Sequence, residues 1–110
     1  MNLLADKMVP YLDASGIRYV RNTPSMTAAS SIAASNAGNY DLHLALHSNA
    51  APIYGSARGS IAFYYPGSAQ GKRAAQIIAD GLKAIYPLPD LVRAEATTAI
   101  GEVRRTRAPS

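Results

Sequence analysis

The 110-residue sequence lacks cysteine and tryptophan, and it has no run of about 18 apolar residues. Without cysteine, a disulfide framework, a thiolate zinc site and a cysteine nucleophile are excluded, whereas either redox compartment stays open. The absence of a long apolar run excludes a membrane-spanning helix of ordinary length. The N-terminus also lacks the basic-then-apolar layout of a signal peptide.

Charge is scarce as well, since charged residues make up 16% of the chain while 48% are hydrophobic. This composition and a length of 110 residues predict one globular domain, residues 1–110. The net charge of +4 is concentrated late in the chain. It permits attraction to nucleic acid or to an anionic cell-wall polymer, and it equally fits plain solubility. The late arginines are Arg93, Arg104, Arg105 and Arg107.

Three segments predict helices. Apolar residues at helical spacing indicate a helix over residues 1–15, kinked by Pro10 and ended by a left-handed Gly16. Small residues favour a second helix over residues 26–37. The clearest helix follows Ser68 and runs toward residue 86, because its apolar residues mark one helical face. That predicted face comprises Ala74, Ile77, Ile78, Leu82 and Ile85.

Strand patterns lie between these helices. Residues 17–22, 40–46 and 59–65 predict strands, and two shorter strands are expected around Val92 and Val103. Alternating strands and helices predict an α/β fold, with a mostly parallel sheet and helices on both faces. Active sites of such sheets collect at the carboxyl ends of the strands. The stretch "HSN", residues 47–49, lies at such an end.

Both histidines of the chain lie in "YDLHLALHSN". In a strand, His43, Ala45 and His47 would share one face, and the two imidazoles would lie roughly 13 Å apart along it. That separation is too large for one metal ion with bonds of about 2.0 to 2.1 Å to nitrogen. We expect the His43 imidazole to be satisfied by a carbonyl or water. His47 ends the predicted strand, where it could bind a ligand or be satisfied in the same way.

The order of these motifs is similar to the middle of the zinc-dependent N-acetylmuramoyl-L-alanine amidases of the amidase-3 type, which are peptidoglycan hydrolases. The matching stretches are "YDLHLALHSNAAP" and "GSIAFYYPGSAQGKRAAQIIADGLKAIY", preceded by "IRYVRNTP" and by Asn36 at a helix end. Two positions depart from the family pattern, because Ser31 replaces a frequent arginine and Ala45 replaces a serine. The resemblance implies a partial zinc-exopeptidase-like three-layer sandwich, with residues 1–110 as an incomplete catalytic domain.

The resemblance carries over few site residues. It implies that His47 is a zinc ligand and that Asn49 contacts substrate, although an asparagine after a strand is also a common turn residue. The family's other histidine and glutamate ligands would precede Met1, and its catalytic glutamate would follow Ser110. Glu95 and Glu102 match no family ligand, so we expect them to be solvated partners of Arg93 and Arg104.

The implied reaction is hydrolysis of the amide between N-acetylmuramic acid and L-alanine of the stem peptide, outside the cell or in its envelope. The segment alone is expected to be inactive. Loss of flanking strands would uncover sheet edges, which predicts self-association or a complementing segment. The alternative is a non-catalytic module that binds cell wall or another partner. Nucleic-acid binding through the arginines is weaker, because no stacking platform or helix-turn-helix pattern is present.

Overall fold

The structure, a computed structural model, describes residues 1–48 and 58–110. Its described part is an α/β fold with four α-helices and two parallel strands. In chain order the elements are α1 (Asn2–Ala14), α2 (Ala28–Ala37), β1 (Ser60–Tyr64), α3 (Ala69–Lys83), a 3₁₀ turn (Pro89–Leu91), β2 (Val92–Ala96) and α4 (Gly101–Arg105).

The centre of the fold is a β1–α3–β2 unit. The two strands pair in parallel, from Ser60 opposite Val92 to Tyr64 opposite Ala96. Val92 is 2% exposed and anchors the pair beneath α3. Strands were predicted at residues 59–65 and around Val92, and their parallel pairing agrees with the predicted α/β class.

Helix α3 packs on the sheet through small residues. Ser68 caps its start by accepting a hydrogen bond from the Gly71 N–H at 2.9 Å. Gly71, Ala75 and Ala79 are buried, and their spacing of four residues lets the helix backbone approach the strands closely. The predicted apolar face was therefore wrong in part, because Ile77 and Ile85 are 62% and 79% exposed.

Helix α1 ends as the sequence predicts. Gly16 has φ +69°, and the Ile17 and Gly16 N–H groups donate to the carbonyls of Leu12 and Asp13 at 3.0 and 3.1 Å. These two bonds form a Schellman cap, which requires the left-handed conformation that glycine adopts at little cost. The helix runs through Pro10 and buries none of its residues.

Helix α2 begins at a capping box. The Thr27 side chain accepts from the Ser30 N–H, and the Ser30 side chain accepts from the Thr27 N–H. Ile32 is 5% exposed and faces α4. The prediction of a strand around Val103 was wrong, because Val103 lies in α4, where it and Glu102 are both buried.

Two further predicted strands are not formed in the described part of the chain. Residues 17–22 and 40–46 have strand-like sequence patterns but do not form strands. A strand requires a partner ladder, and among the residues that the structure describes, the 5-residue strands β1 and β2 pair only with each other. Among residues 1–48 and 58–110, no helix is long and apolar enough to cross a membrane.

Candidate functional site

The histidine segment, residues 40–48, is held by the C-terminal tail, residues 106–110. His43 and Ala45 are partly buried, whereas Leu42 and Leu44 are 43% and 47% exposed. The His43 backbone N–H donates to the Pro109 carbonyl at 2.8 Å. The expected alternation of side chains therefore holds as far as Ala45, although the segment is not part of a sheet.

Glu102 lies beside His47. The His47 Nε2 atom is 3.2 Å from Glu102 Oε1, and the side chains are 53% and 12% exposed. The expectation that Glu102 is a solvated partner of Arg104 was wrong, because α4 turns the Glu102 side chain inward and Arg104 Nη1 donates to the Thr98 carbonyl at 2.9 Å.

Glu95 differs from Glu102 in this respect. Its Oε2 atom accepts a hydrogen bond from Arg93 Nε at 2.7 Å, and both side chains are well exposed. The expected Glu95–Arg93 pair is thus confirmed. In sequence, the only signal that separates the two glutamates is that Glu102 stands in "IGEV", between apolar residues that α4 also directs inward.

The Glu102 carboxylate also influences the imidazole of His43. Burial lowers the pKa of His43, and the negative charge of Glu102 opposes this by raising it. Because burial dominates, the neutral form of His43 is favoured in the folded chain. Glu102 thus contacts the His47 ring and also opposes the effect of burial on the pKa of His43.

Asn36 connects α2 to the segment that follows α4. Its Nδ2 donates to the Arg105 carbonyl at 2.9 Å, and its Oδ1 accepts from the Arg107 N–H at 2.7 Å. The Arg107 guanidinium also donates to the Asn36 carbonyl. Since Pro109 of this tail holds the His43 backbone, Asn36 fixes the tail against which the histidine segment lies.

A cleft of about 380 Å³ lies between the start of α3 and the segment that follows α4. Val103 and Arg104, which directly follow Glu102, form part of its wall. Ser68 and Gln70 line it at the start of α3, and Ser110 also lines it. The cleft thus combines hydroxyl, amide and arginine groups, and neither His47 nor Glu102 is part of its wall.

The donor set supports zinc binding only in part. Neutral imidazole and carboxylate are both zinc ligands, but a catalytic zinc ion is held by three protein ligands. Within the described residues, no group of three or more histidine, aspartate and glutamate side chains could hold a metal ion. His47 and Glu102 supply two donors of suitable chemistry, and Asn49, the expected substrate contact, lies outside the described residues.

Comparisons with known proteins identify no relative. No protein-family model matches the sequence, and neither the curated proteins nor the solved structures contain a match.

Proposed function

We propose that this chain is part of a zinc-dependent N-acetylmuramoyl-L-alanine amidase and that His47 is one of its zinc ligands. The observation that supports the proposal is the position of His47. Its imidazole is 53% exposed, and a buried carboxylate lies 3.2 Å from its Nε2 atom. His47 thus differs from a histidine enclosed in an apolar core, because half of its side chain is exposed.

The proposed chemistry assigns distinct tasks to the residues of the site. Zinc, when bound, supplies a Lewis acid that polarises the scissile carbonyl and lowers the pKa of bound water. His47 contributes a neutral imidazole nitrogen. Gln70 and Ser68 offer hydrogen bonds to a peptide substrate in the cleft, and the net charge of +4 favours the anionic cell wall.

The remaining zinc ligands and the catalytic glutamate are proposed to come from segments outside these 110 residues. With them, the β1–α3–β2 unit would form part of a larger three-layer sandwich, as the resemblance implies. The natural place of such a hydrolase is the cell envelope or the outside of the cell. The 110-residue chain alone is expected to lack turnover.

The test measures zinc content and the release of stem peptides from purified peptidoglycan by the protein at its natural length. His47→Ala is expected to lower turnover by more than the about 10- to 100-fold that loss of an outer-shell partner of a metal costs. His43→Gln, the matched control, is expected to retain most of the activity. Retention of peptidoglycan in a pull-down without zinc or hydrolysis would instead support a non-catalytic wall-binding module.

We also propose that the chain associates with itself or with a complementing segment. Exposed apolar side chains lie on the histidine segment, on α3 and just after its end, and within the described residues β1 and β2 are each paired on one side only. Light scattering should show mass increasing with concentration, and Ile77→Lys should reduce the increase. A monomer at all concentrations would contradict this proposal. The side chains concerned are Leu42, Leu44, Ile77 and Ile85.

A further inference from the structure

A second cavity, the tail pocket, lies where the end of α2 meets the C-terminal tail. Its volume is about 140 Å³. Its lining residues from α2 and the turn that follows are Ser35, Gly38, Asn39 and Tyr40. The tail contributes Arg107, Ala108 and Pro109, which also line the cleft beside α3. The pocket therefore borders the same tail that holds the histidine segment.

Ser35 gives the tail pocket a buried hydroxyl that lacks a partner. The residue is 8% exposed, and its Oγ atom has no hydrogen-bond partner among the described residues. Leaving a buried hydroxyl unpaired is unfavourable, and most such groups in proteins are paired. A serine hydroxyl both donates and accepts, and its side chain can rotate between staggered positions. A polar group in the pocket can therefore satisfy it.

The charges around the tail pocket favour an uncharged polar ligand. Among the described residues that line it, Arg107 carries a charge and no side chain is a carboxylate. The Arg107 guanidinium donates to the Asn36 carbonyl, at an end of α2 whose partial negative charge offsets part of the arginine's charge. Further N–H groups of the guanidinium can donate to a ligand. A carbonyl oxygen for Arg107 and an N–H group for Ser35 are together the two faces of an amide.

The volume of the tail pocket limits how much of a ligand enters it. A cavity of about 150 Å³ accepts a molecule of the size of benzene. The pocket, at about 140 Å³, is therefore large enough for an acetamido group and too small for a whole substituted sugar ring. Tyr40 is 41% exposed, and its ring lies against Gly38, where a Cβ atom would overlap it. The sugar ring would thus lie outside the pocket, beside the exposed part of Tyr40.

We propose that the tail pocket binds the acetamido group of an N-acetylated sugar. Ser35 accepts a hydrogen bond from its N–H, and the Arg107 guanidinium donates to its carbonyl oxygen. The inference rests on the proposed function, because the N-acetyl groups of the cell-wall glycan are the natural source of this ligand. It adds a glycan contact that involves neither His47 nor a metal ion.

NMR titration of the 110-residue chain with N-acetylglucosamine tests this proposal. The amide resonances of Ser35 and Tyr40 should shift in a saturable way. Glucose, which lacks the acetamido group, should bind at least about tenfold more weakly. Acetamide should compete for the site, whereas acetate, which has the same size and a negative charge, should not. Absence of a saturable shift, equal binding of the two sugars, or tighter binding of acetate than of acetamide would each overturn the proposal.

A pair of serine variants provides the second measurement. Ser35→Ala should weaken binding of N-acetylglucosamine at least about tenfold. The variant should be no less stable in urea, because the removed hydroxyl has no partner among the described residues. Ser31→Ala, the matched control on the same helix, removes a hydroxyl that accepts from Asn22 Nδ2 and lines neither cavity, and it should leave the affinity unchanged.

The outcomes also separate this proposal from the zinc role of His47. His47→Ala should bind N-acetylglucosamine as the parent chain does. If Ser35→Ala binds the sugar as tightly as the parent chain, the tail-pocket proposal is overturned and the proposed role of His47 is unaffected. If Ser35→Ala loses the sugar while the protein at its natural length shows neither zinc nor amidase turnover, the proposed function fails and the tail pocket stands.

Discussion

Gly59→Ala is expected to lower the free energy of unfolding by about 2 to 4 kcal/mol. Gly59 has φ +101°, a conformation that residues with a Cβ atom rarely adopt. A Cβ atom there would lie 2.4 Å from the Leu91 carbonyl oxygen and 3.0 Å from Leu91 Cβ. The backbone would have to shift at the start of β1, opposite the residue that leads into β2.

The shift would also disturb a second contact. The Gly59 N–H donates to the Tyr86 hydroxyl at 3.0 Å, which links the start of β1 to the segment after α3. Since small domains are stable by about 5 to 15 kcal/mol, the expected loss is a large part of the total.

Urea unfolding followed by circular dichroism measures the effect. Gly81→Ala is the matched control, because Gly81 lies in α3 with open space around its Cα and no positive φ. Alanine there should stabilise the helix by up to about 1 kcal/mol. Equal, small effects of the two substitutions would show that Gly59 is not under the steric constraint described.

Asn36→Ala is expected to lower the free energy of unfolding by about 2 to 3 kcal/mol. The substitution removes two hydrogen bonds to the backbone of Arg105 and Arg107, each contributing about 1 kcal/mol, and leaves their partners less well satisfied. Because the same tail holds His43 through Pro109, the loss should spread to the histidine segment.

Thermal unfolding gives the stability change, and the amide resonance of His43 reports on the tail. Asn39→Ala, an exposed asparagine three residues later, should change stability by less than about 0.5 kcal/mol. An Asn36→Ala variant as stable as Asn39→Ala, with an unchanged His43 resonance, would contradict the connecting role of Asn36.

Local signals predicted the elements whose determinants are themselves local. The end of α1 at Gly16 follows from the freedom of glycine to adopt positive φ, and the start of α3 follows from the Ser68 cap. The β1–α3–β2 unit was also predictable, because two segments with strand patterns flank one segment with helical periodicity.

Elements that depend on distant partners were not predictable in the same way. Residues 40–46 can form a strand only if neighbouring strands pair with them. Among the described residues, their backbone has one hydrogen bond outside the segment, from the His43 N–H to the Pro109 carbonyl. The prediction of a strand around Val103 was wrong because α4 has only five residues, too few for helical periodicity to be distinguished from the alternation of a strand.

Of the two residues in the candidate site, the sequence indicated His47 and not Glu102. His47 was singled out from its position after an apolar run, but Glu102 is 55 residues later and lies beside it only in the folded chain. No spacing rule relates the two positions, since their proximity is a property of the tertiary fold. Asn36 was noted from the resemblance, whereas its contacts with the tail come from the fold alone.

The β1–α3–β2 unit has a consequence for the order in which the protein loses structure. It contains both strands of the described sheet, the helix that covers them and Val92, so its backbone amides are shielded together. Helix α1 buries no residue and is attached through the exposed Arg21–Asp6 pair. The chain therefore consists of a cooperative nucleus and a weakly coupled N-terminal arm, and the arm should open many times for each global unfolding event.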